Sequence, residues 1–258
     1  MTAISFMSAN YVAREVGYAM HGWGHGDRAT NDAFRPLETY EQRLDAVLRD
    51  VRALGFDAID LWGAHLNPAW ATDEHVAVAQ RLLARHGLAV ASLEVFVGPA
   101  ELERTCDIAT AVGTTVIAGF APLDNPRLLP LLREHGLRVA IENHPEKTPD
   151  ELLAKLVEDD SIGACVDTGW FATQGYDPVR ALDEVGGRLL HVHLKDVLAA
   201  GAHDTCRWGD GIVDVVGCVD ALRRIGYDGA VSVEHEPEHY DPSDDCRTML
   251  AQLRRWLS

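Results

Sequence analysis

Four apolar runs in the second half of the chain each end in a residue type that metal ions favour. These residues are Glu142, Asp167, His193 and Glu234, and helical patterns follow the runs. Buried strands rarely carry ionisable groups unless the groups are paired or bind a metal. Three carboxylates and one imidazole favour Mn²⁺, Mg²⁺ or Co²⁺ over a thiolate-rich zinc site. The pattern therefore predicts a divalent-metal site where the four runs end together.

Each of these residues also has a simpler interpretation when it is taken alone. Glu142 or Glu234 could end its strand at a solvated edge, and His193 could be a hydrogen-bonded histidine of the core. Four suitable ligands on successive strands favour the shared site over four separate coincidences.

Eight short apolar runs alternate with helical patterns over the whole chain. Parallel strands need crossover connections, so eight strand–helix units predict a closed (β/α)8 TIM barrel, as a single domain over residues 1–258. An open doubly wound sheet has no local support, because no glycine-rich nucleotide-binding motif is present. The predicted strands are Ile4–Ala9, Ala58–Trp62, Ala89–Val97, Thr115–Phe120, Val139–Asn143, Gly163–Thr168, Leu189–Leu194 and Ala230–Glu234.

Apolar periodicity and capping residues predict the helices. Periodicity indicates helices over Tyr40–Leu54 and Asp73–His86. Thr39 reads as the N-cap of the first, and Thr148 reads as an N-cap directly before Pro149.

Histidines and tryptophans crowd the segments that follow the predicted strands. Trp23 follows the first strand, Trp62 ends the second, and Trp170 follows the sixth. In a TIM barrel these segments carry the chemistry. Loop polarity explains part of the histidine content, whereas tryptophans offer flat apolar walls for a sugar ring.

Charge and cysteine content limit the partners and the compartment. The chain has a formal net charge of −17, which disfavours nucleic acid and anionic membrane surfaces as partners. Its five cysteines contain no Cys-x-x-Cys, which favours reduced thiols in the cytoplasm. No apolar run reaches the length of a membrane span. The sequence leaves open whether the protein forms a homo-oligomer.

Five motifs resemble the sugar phosphate isomerase/epimerase family of xylose-isomerase-like TIM barrels. The likeness covers nearly the whole chain and is strongest after residue 138. The motifs are Val139–His144 (VAIENH), Val166–Gly169 (VDTG), His191–Asp196 (HVHLKD), Gly209–Asp214 (GDGIVD) and Gly226–Glu234 (GYDGAVSVE).

The resemblance implies a metal-dependent enzyme. Its metal ligands would be Glu142, Asp167, His193 and Glu234, holding one divalent ion with Mn²⁺ preferred over Mg²⁺, Co²⁺ or Zn²⁺. A metal that chelates a carbonyl and an adjacent hydroxyl stabilises an enediolate. Glu142 and Glu234 would then remove and return the proton next to the carbonyl, which gives epimerisation or isomerisation.

Further residues have weaker assignments. His144, Trp23 and Trp62 are expected in the substrate-binding pocket, and His191 would line the pocket or orient a ligand. Many relatives have histidine where this chain has Trp170, which would stack on a sugar or pack in its loop. Arg207 would contact a substrate oxygen or form a loop salt bridge. Lys195 and Asp196 would pair with each other or with neighbours at the rim, while Asp60 and Glu94 could contact hydroxyl groups.

The preferred prediction is an isomerase or epimerase that acts on a free sugar or keto-sugar without a phosphate. A lyase is the nearest alternative: a dehydratase of the inosose type, or an enzyme acting on 3-keto-glycosides, would form the same enediolate and then lose a β-hydroxyl or other β-substituent. A metal-dependent DNA-repair nuclease is a different class, which the negative charge disfavours. A non-catalytic sugar-binding subunit would not need the complete ligand set.

Overall fold

The computed structural model describes residues 3–257 and contains a closed barrel of eight parallel strands. The barrel strands are β1 (Ile4–Met7), β2 (Ala58–Trp62), β3 (Ala89–Phe96), β4 (Val116–Phe120), β5 (Arg138–Glu142), β6 (Ile162–Asp167), β7 (Leu189–Leu194) and β10 (Val231–Val233). Two further short strands are β8 (Asp196–Val197) and β9 (Thr205–Cys206). Around the barrel the order is β1-β10-β7-β6-β5-β4-β3-β2, and β8 pairs with β9 in a separate antiparallel ribbon. The predicted TIM barrel is confirmed.

Helices connect the barrel strands and surround them. They are α1 (Trp23–Phe34), α2 (Leu37–Leu54), α3 (Asp73–His86), α4 (Leu102–Val112), α5 (Leu128–His135), α6 (Pro149–Leu153), α7 (Thr168–Thr173), α8 (Pro178–Val185), α9 (Val215–Arg224) and α10 (Ser243–Leu257). Short 3₁₀ segments occupy Ser8–Tyr11, Arg14–Val16, Gly63–His65 and Gly186–Arg188. Within residues 3–257, no helix has the length and apolar character needed to cross a membrane.

All eight predicted barrel strands are present, whereas the local details differ in two places. Helix α2 begins at Leu37, so the predicted N-cap at Thr39 is wrong. The extended backbone of Pro36 precedes the helix instead, and the Thr39 hydroxyl donates to the Pro36 carbonyl. The Thr148 cap is confirmed, because its side chain accepts the Glu151 N–H. Helix α1 was not predicted, since its first turn contains two glycines and no apolar periodicity.

The core has an outer and an inner part. Outside the barrel, the apolar face of α2 is buried against the strands through Leu44, Leu48 and Val51. Inside it, small side chains fill the centre, such as Ala140 of β5 and Cys165 of β6. Small residues on the inner face leave room above them for longer polar side chains at the carboxyl ends of the strands.

A substitution at Gly163 tests how closely β6 and β7 pack. A methyl group at Gly163 would lie 2.5 Å from the Arg188 carbonyl oxygen and 2.5 Å from Leu190 Cγ. We expect Gly163→Ala to lower the free energy of unfolding by about 1–3 kcal/mol, because it overpacks the strand pair. Gly187→Ala is the control, since no atom lies within 4 Å of the added methyl group. Urea denaturation measures both; equal stabilities for the two variants would contradict this packing.

Candidate metal centre and its cavity

His193 lies at the centre of the predicted ligand set. Its Nδ1 is 2.9 Å from Glu142 Oε1 and 3.1 Å from Glu234 Oε2. Strand β7, which carries His193, lies between β6 and β10 in the barrel. The two glutamates extend from β5 and from the residue after β10, so they approach the imidazole from both sides.

Asp167 completes the set at the end of β6. Its Oδ1 accepts the Trp170 N–H at 3.0 Å, which caps helix α7 and fixes the carboxylate. Its Oδ2 is 3.5 Å from His144 Nε2, and His144 Nδ1 is 3.1 Å from Glu142 Oε2. The structure therefore brings all four predicted ligands to one place.

Lys195 is the cation of this cluster. Its Nζ lies 3.0 Å from Glu234 Oε1, 3.5 Å from Asp167 Oδ2 and 2.8 Å from Glu236 Oε2. Burial alone would lower the pKa of Lys195, but the three carboxylates hold it well above its usual value. The other oxygen of Glu236 accepts the Trp23 Nε1–H at 3.0 Å. Lys195 is thus held between the ligand set and the wall of the cavity.

Sequence reasoning missed Glu236 and left the partner of Lys195 open. The spacing was a usable signal, because Glu236 follows Glu234 by two residues. The predicted pairing of Lys195 with rim neighbours is confirmed, whereas its pairing with Asp196 is wrong. Asp196 instead accepts backbone N–H groups of the loop that follows β9, at Gly209, Gly211 and Val213.

The neighbouring imidazoles favour the ionised form of Glu142. Burial would raise the pKa of Glu142, but His144 and His193 hold it well below its usual value. Burial would likewise lower the pKa of His144, whereas Glu142 and Asp167 raise it to about 10. The carboxylates of the cluster are therefore balanced by neighbouring positive charge, which a divalent ion could supply in place of the protonated imidazoles.

Two buried oxygens of the cluster support a fit to a divalent ion. Asp167 Oδ2 and Glu234 Oε2 have no hydrogen-bond partner and almost no contact with solvent. Both oxygens lie 3.1–3.5 Å from a cationic or imidazole nitrogen without forming a hydrogen bond, which is costly for a buried carboxylate, and a metal ion would satisfy both. Glu142, His144 and Asp167 offer ligand atoms within 4.8 Å of one another, and so do Glu142, Cys165 and His193. Carboxylate oxygens with one imidazole suit Mn²⁺, Mg²⁺, Co²⁺ or Zn²⁺.

The cluster opens into a cavity of about 1020 Å³ at the carboxyl ends of the strands. Trp23, Trp62 and Trp170 form parts of its wall, as does His144, so the predicted pocket positions of all four are found. The described lining contains eight acidic residues, one lysine and no arginine. Such a lining disfavours phosphorylated ligands.

Trp170 has two sets of contacts. Its Nε1–H donates to the Glu146 carbonyl at 3.1 Å, and its ring packs against His144 and His203. The ring therefore packs against its neighbours and also lines the cavity, and its stacking on a sugar stays a prediction.

Two predicted pocket residues lie elsewhere. His191 is buried beneath the cluster, where its Nε2 is 3.4 Å from Asp60 Oδ2 and 3.8 Å from Glu94 Oε1. It does not line the cavity, because it is two residues deeper in β7 than His193. Arg207 pairs with Asp210 at 3.0 Å and is also outside the lining. A substrate contact of Arg207 is therefore not supported, and its loop salt bridge is found instead.

The fold and the cluster define a parallel TIM barrel with a carboxylate–imidazole centre at the carboxyl ends of its strands. Residues 48–256 match the family described as xylose isomerase-like TIM barrel. This chain belongs to that family. The resemblance to xylose-isomerase-like barrels is thereby confirmed.

Individual relatives include epimerases and dehydratases. Inosose dehydratase of Lacticaseibacillus casei is 26% identical over 127 residues, which are 41% of this chain and 43% of that protein. The chain spans less than half the length of the curated relatives it matches.

Solved structures match over far more of the chain. The structure of L-ribulose 3-epimerase has a TM-score of 0.71 at 17% identity, covering 100% of this chain and 95% of the other. The IOLI protein with a bound zinc atom has a TM-score of 0.71 at 17% identity, covering 100% and 98%. At these identities the structures show the shared fold alone.

Asp167→Asn separates the charge of the carboxylate from its capping role. The asparagine oxygen can still accept the Trp170 N–H, while the charge at Oδ2 is lost. We expect Mn²⁺ affinity to fall at least about 10-fold, with little change in urea stability. Calorimetric titration with Mn²⁺ measures the affinity. Glu238→Gln at the cavity mouth is the control, and an equal loss in both variants would contradict the predicted site.

Lys195→Met tests whether the ammonium competes with a divalent ion. Removing a positive charge next to Glu234 and Asp167 should tighten Mn²⁺ binding by roughly 10-fold. The Lys195 ammonium and a metal ion held by the same carboxylates would lie close together and repel each other. Lys147→Met makes the same change in net charge at an exposed position and should leave the affinity unchanged. Unaltered binding by the Lys195 variant would mean that the ammonium does not oppose the ion.

Proposed function

We propose that this protein is a divalent-metal-dependent isomerase or epimerase that acts on an unphosphorylated sugar or keto-sugar through an enediolate intermediate. One observation carries the proposal. Two carboxylates, Glu142 and Glu234, reach the same atom, His193 Nδ1, from strands on either side of β7, at the base of a cavity that has tryptophan walls. An epimerase that removes a proton from one face of a carbon and returns one to the other face can use such a pair of groups.

The proposed metal ligands are Glu142, Asp167, His193 and Glu234, with Mn²⁺ as the preferred ion. When bound, such an ion withdraws electron density from a carbonyl oxygen and stabilises the negative charge of an enediolate. Bound zinc in the structurally similar IOLI protein supports the use of a divalent ion by this fold.

Proton transfer is assigned to Glu142 and Glu234. One carboxylate takes the proton from the carbon next to the carbonyl, and the electron pair of the C–H bond forms the enediolate. The other returns a proton. Return to the opposite face of the same carbon gives an epimer, while return to the adjacent carbon converts an aldose and a ketose into each other.

The cavity wall positions an uncharged ring. Trp23 and Trp62 lie edge to face, with ring centroids 5.6 Å apart, and Trp170 forms another part of the wall. Aromatic faces bind the apolar side of a sugar. The only described lysine of the lining, Lys195, is already paired with three carboxylates, so no free cation is present there to bind a phosphate.

A lyase is the second candidate. Its specific support is the similarity to inosose dehydratase, although that match covers less than half of each chain. The same residues would form the enediolate, from which the β-substituent then leaves. Epimerases and dehydratases on this barrel thus share their first step and differ in the fate of the intermediate.

Proton exchange in D₂O tests the proposal. The Mn²⁺-loaded protein is incubated with a panel of ketoses, aldoses and keto-glycosides, and NMR follows deuterium incorporation next to the carbonyl. We expect exchange with at least one compound, and a loss of about 100- to 10,000-fold in Glu142→Gln or Glu234→Gln, as for removal of a general base. An unsaturated carbonyl product that absorbs ultraviolet light would identify the lyase.

Metal content has to be measured in the same samples, because both glutamates are also proposed ligands. Asp167→Asn serves for comparison, since it perturbs the ligand set without removing a proposed proton carrier. No exchange with any compound of the panel would contradict both candidate functions. Near-normal exchange in either glutamate variant would contradict the role of that residue.

A further inference from the structure

Two adjacent phenyl rings stand exposed at the mouth of the barrel. Phe96 ends β3 and Phe120 ends β4, and the two residues are partners in the strand register. Their side chains are 74% and 50% exposed, and their ring centroids are 6.5 Å apart with planes inclined by 26°. Single exposed apolar residues are ordinary, whereas adjacent large ones mark a surface that something covers. We call this pair the phenyl shelf.

The shelf is continuous with the candidate metal centre. Side chains of a strand alternate, so Ser92, Glu94 and Phe96 of β3 share one side, and the Ser92 hydroxyl contacts Glu94 inside the barrel. Glu94 Oε1 is 3.4 Å from His193 Nε2. Two residues of strand span about 7 Å, so Phe96 stands about 7 Å above Glu94 along the strand. Phe96 itself lines the cavity.

The dimensions of the cavity support a ligand larger than a free monosaccharide. Its volume of about 1020 Å³ lies at the upper end of the range, about 300–1,000 Å³, of pockets that hold drug-sized ligands. Other exposed apolar side chains also line its mouth, namely Leu198 and Tyr240. A sugar ring at the metal centre would leave this outer, apolar part to water.

We propose that the phenyl shelf binds an apolar, aromatic substituent carried by the sugar substrate, so that the substrate class is a keto-glycoside with an apolar aglycone, of which a plain glycoside is a non-reacting analogue. The inference rests on the proposed function in one respect, since it places the sugar part of the ligand at His193. The eight acidic residues of the lining disfavour an anionic substituent. Continuity with the cavity favours a substituent of the bound ligand over a separate partner.

Matched pairs of glycosides test the shelf. Methyl and phenyl β-glycosides of glucose, galactose and xylose are titrated calorimetrically into the Mn²⁺-loaded protein. We expect at least one phenyl glycoside to bind about 10-fold more tightly than its methyl counterpart, because one face of its phenyl ring is removed from water. In the double variant F96A/F120A this ratio should fall to about 1. Leu37→Ala removes an exposed apolar side chain outside the cavity and should keep the ratio.

Three results would overturn the shelf as a substrate site. The first is that no pair of glycosides differs in affinity, and the second is that the ratio persists in the double variant. The third is a wild-type dimer that the double variant dissociates, measured by sedimentation equilibrium, because a second copy would then cover the two rings.

The binding ratio is independent of the proton-exchange experiment. Tighter binding of a phenyl glycoside than of its methyl counterpart, without proton exchange on any compound, would overturn the proposed reaction and leave the shelf in place. Proton exchange without any difference in affinity between phenyl and methyl glycosides would overturn the shelf alone.

Discussion

Repulsion among carboxylates is the constraint on which the candidate centre depends. Glu142, Asp167 and Glu234 all lie near His193, with little access to water. Two unit charges about 4 Å apart near a protein surface interact by about 4 kcal/mol, so three acids cannot remain together without positive charge. Lys195 supplies one such charge and the imidazoles can supply more. A divalent ion would replace several weak pairings by one strong interaction.

The closed barrel is what holds these charges against repulsion. In the strand register Asp167 is paired with His193, and His193 is paired with Ser232, two residues before Glu234. Backbone hydrogen bonds on both sides of every strand fix these positions. Small inner side chains such as Ala140 lie below the cluster and keep the space above them open. The scaffold therefore determines where the acids lie, and the acids do not determine the scaffold.

The parts predicted from sequence were those that depend on strand periodicity. Alternation and the strand–helix rhythm located all eight strands, and strand ends located Glu142, Asp167, His193 and Glu234. Residues whose position depends on a long flexible side chain were not predictable. Rim pairing of Lys195 was predicted, but strand periodicity does not tell which acids so long a side chain reaches, and these include Asp167 and Glu236. Arg207 lies further along, after β9, and pairs with Asp210 outside the cavity lining.

The structure divides generic chemistry from selectivity along the axis of the barrel. In the proposed reaction, Glu142 and Glu234 at the base would form an enediolate from any substrate that places a carbonyl and a neighbouring C–H between them. Nothing at that depth distinguishes a sugar from a cyclitol, because both present the same group of atoms. On the proposed function, discrimination would come from residues nearer the mouth, where Trp23 and Phe96 line the cavity and Phe120 is adjacent to Phe96. In the proposed reaction the fate of the intermediate would depend on the same arrangement, since a substituent held away from the acids would stay attached and one held beside them could leave.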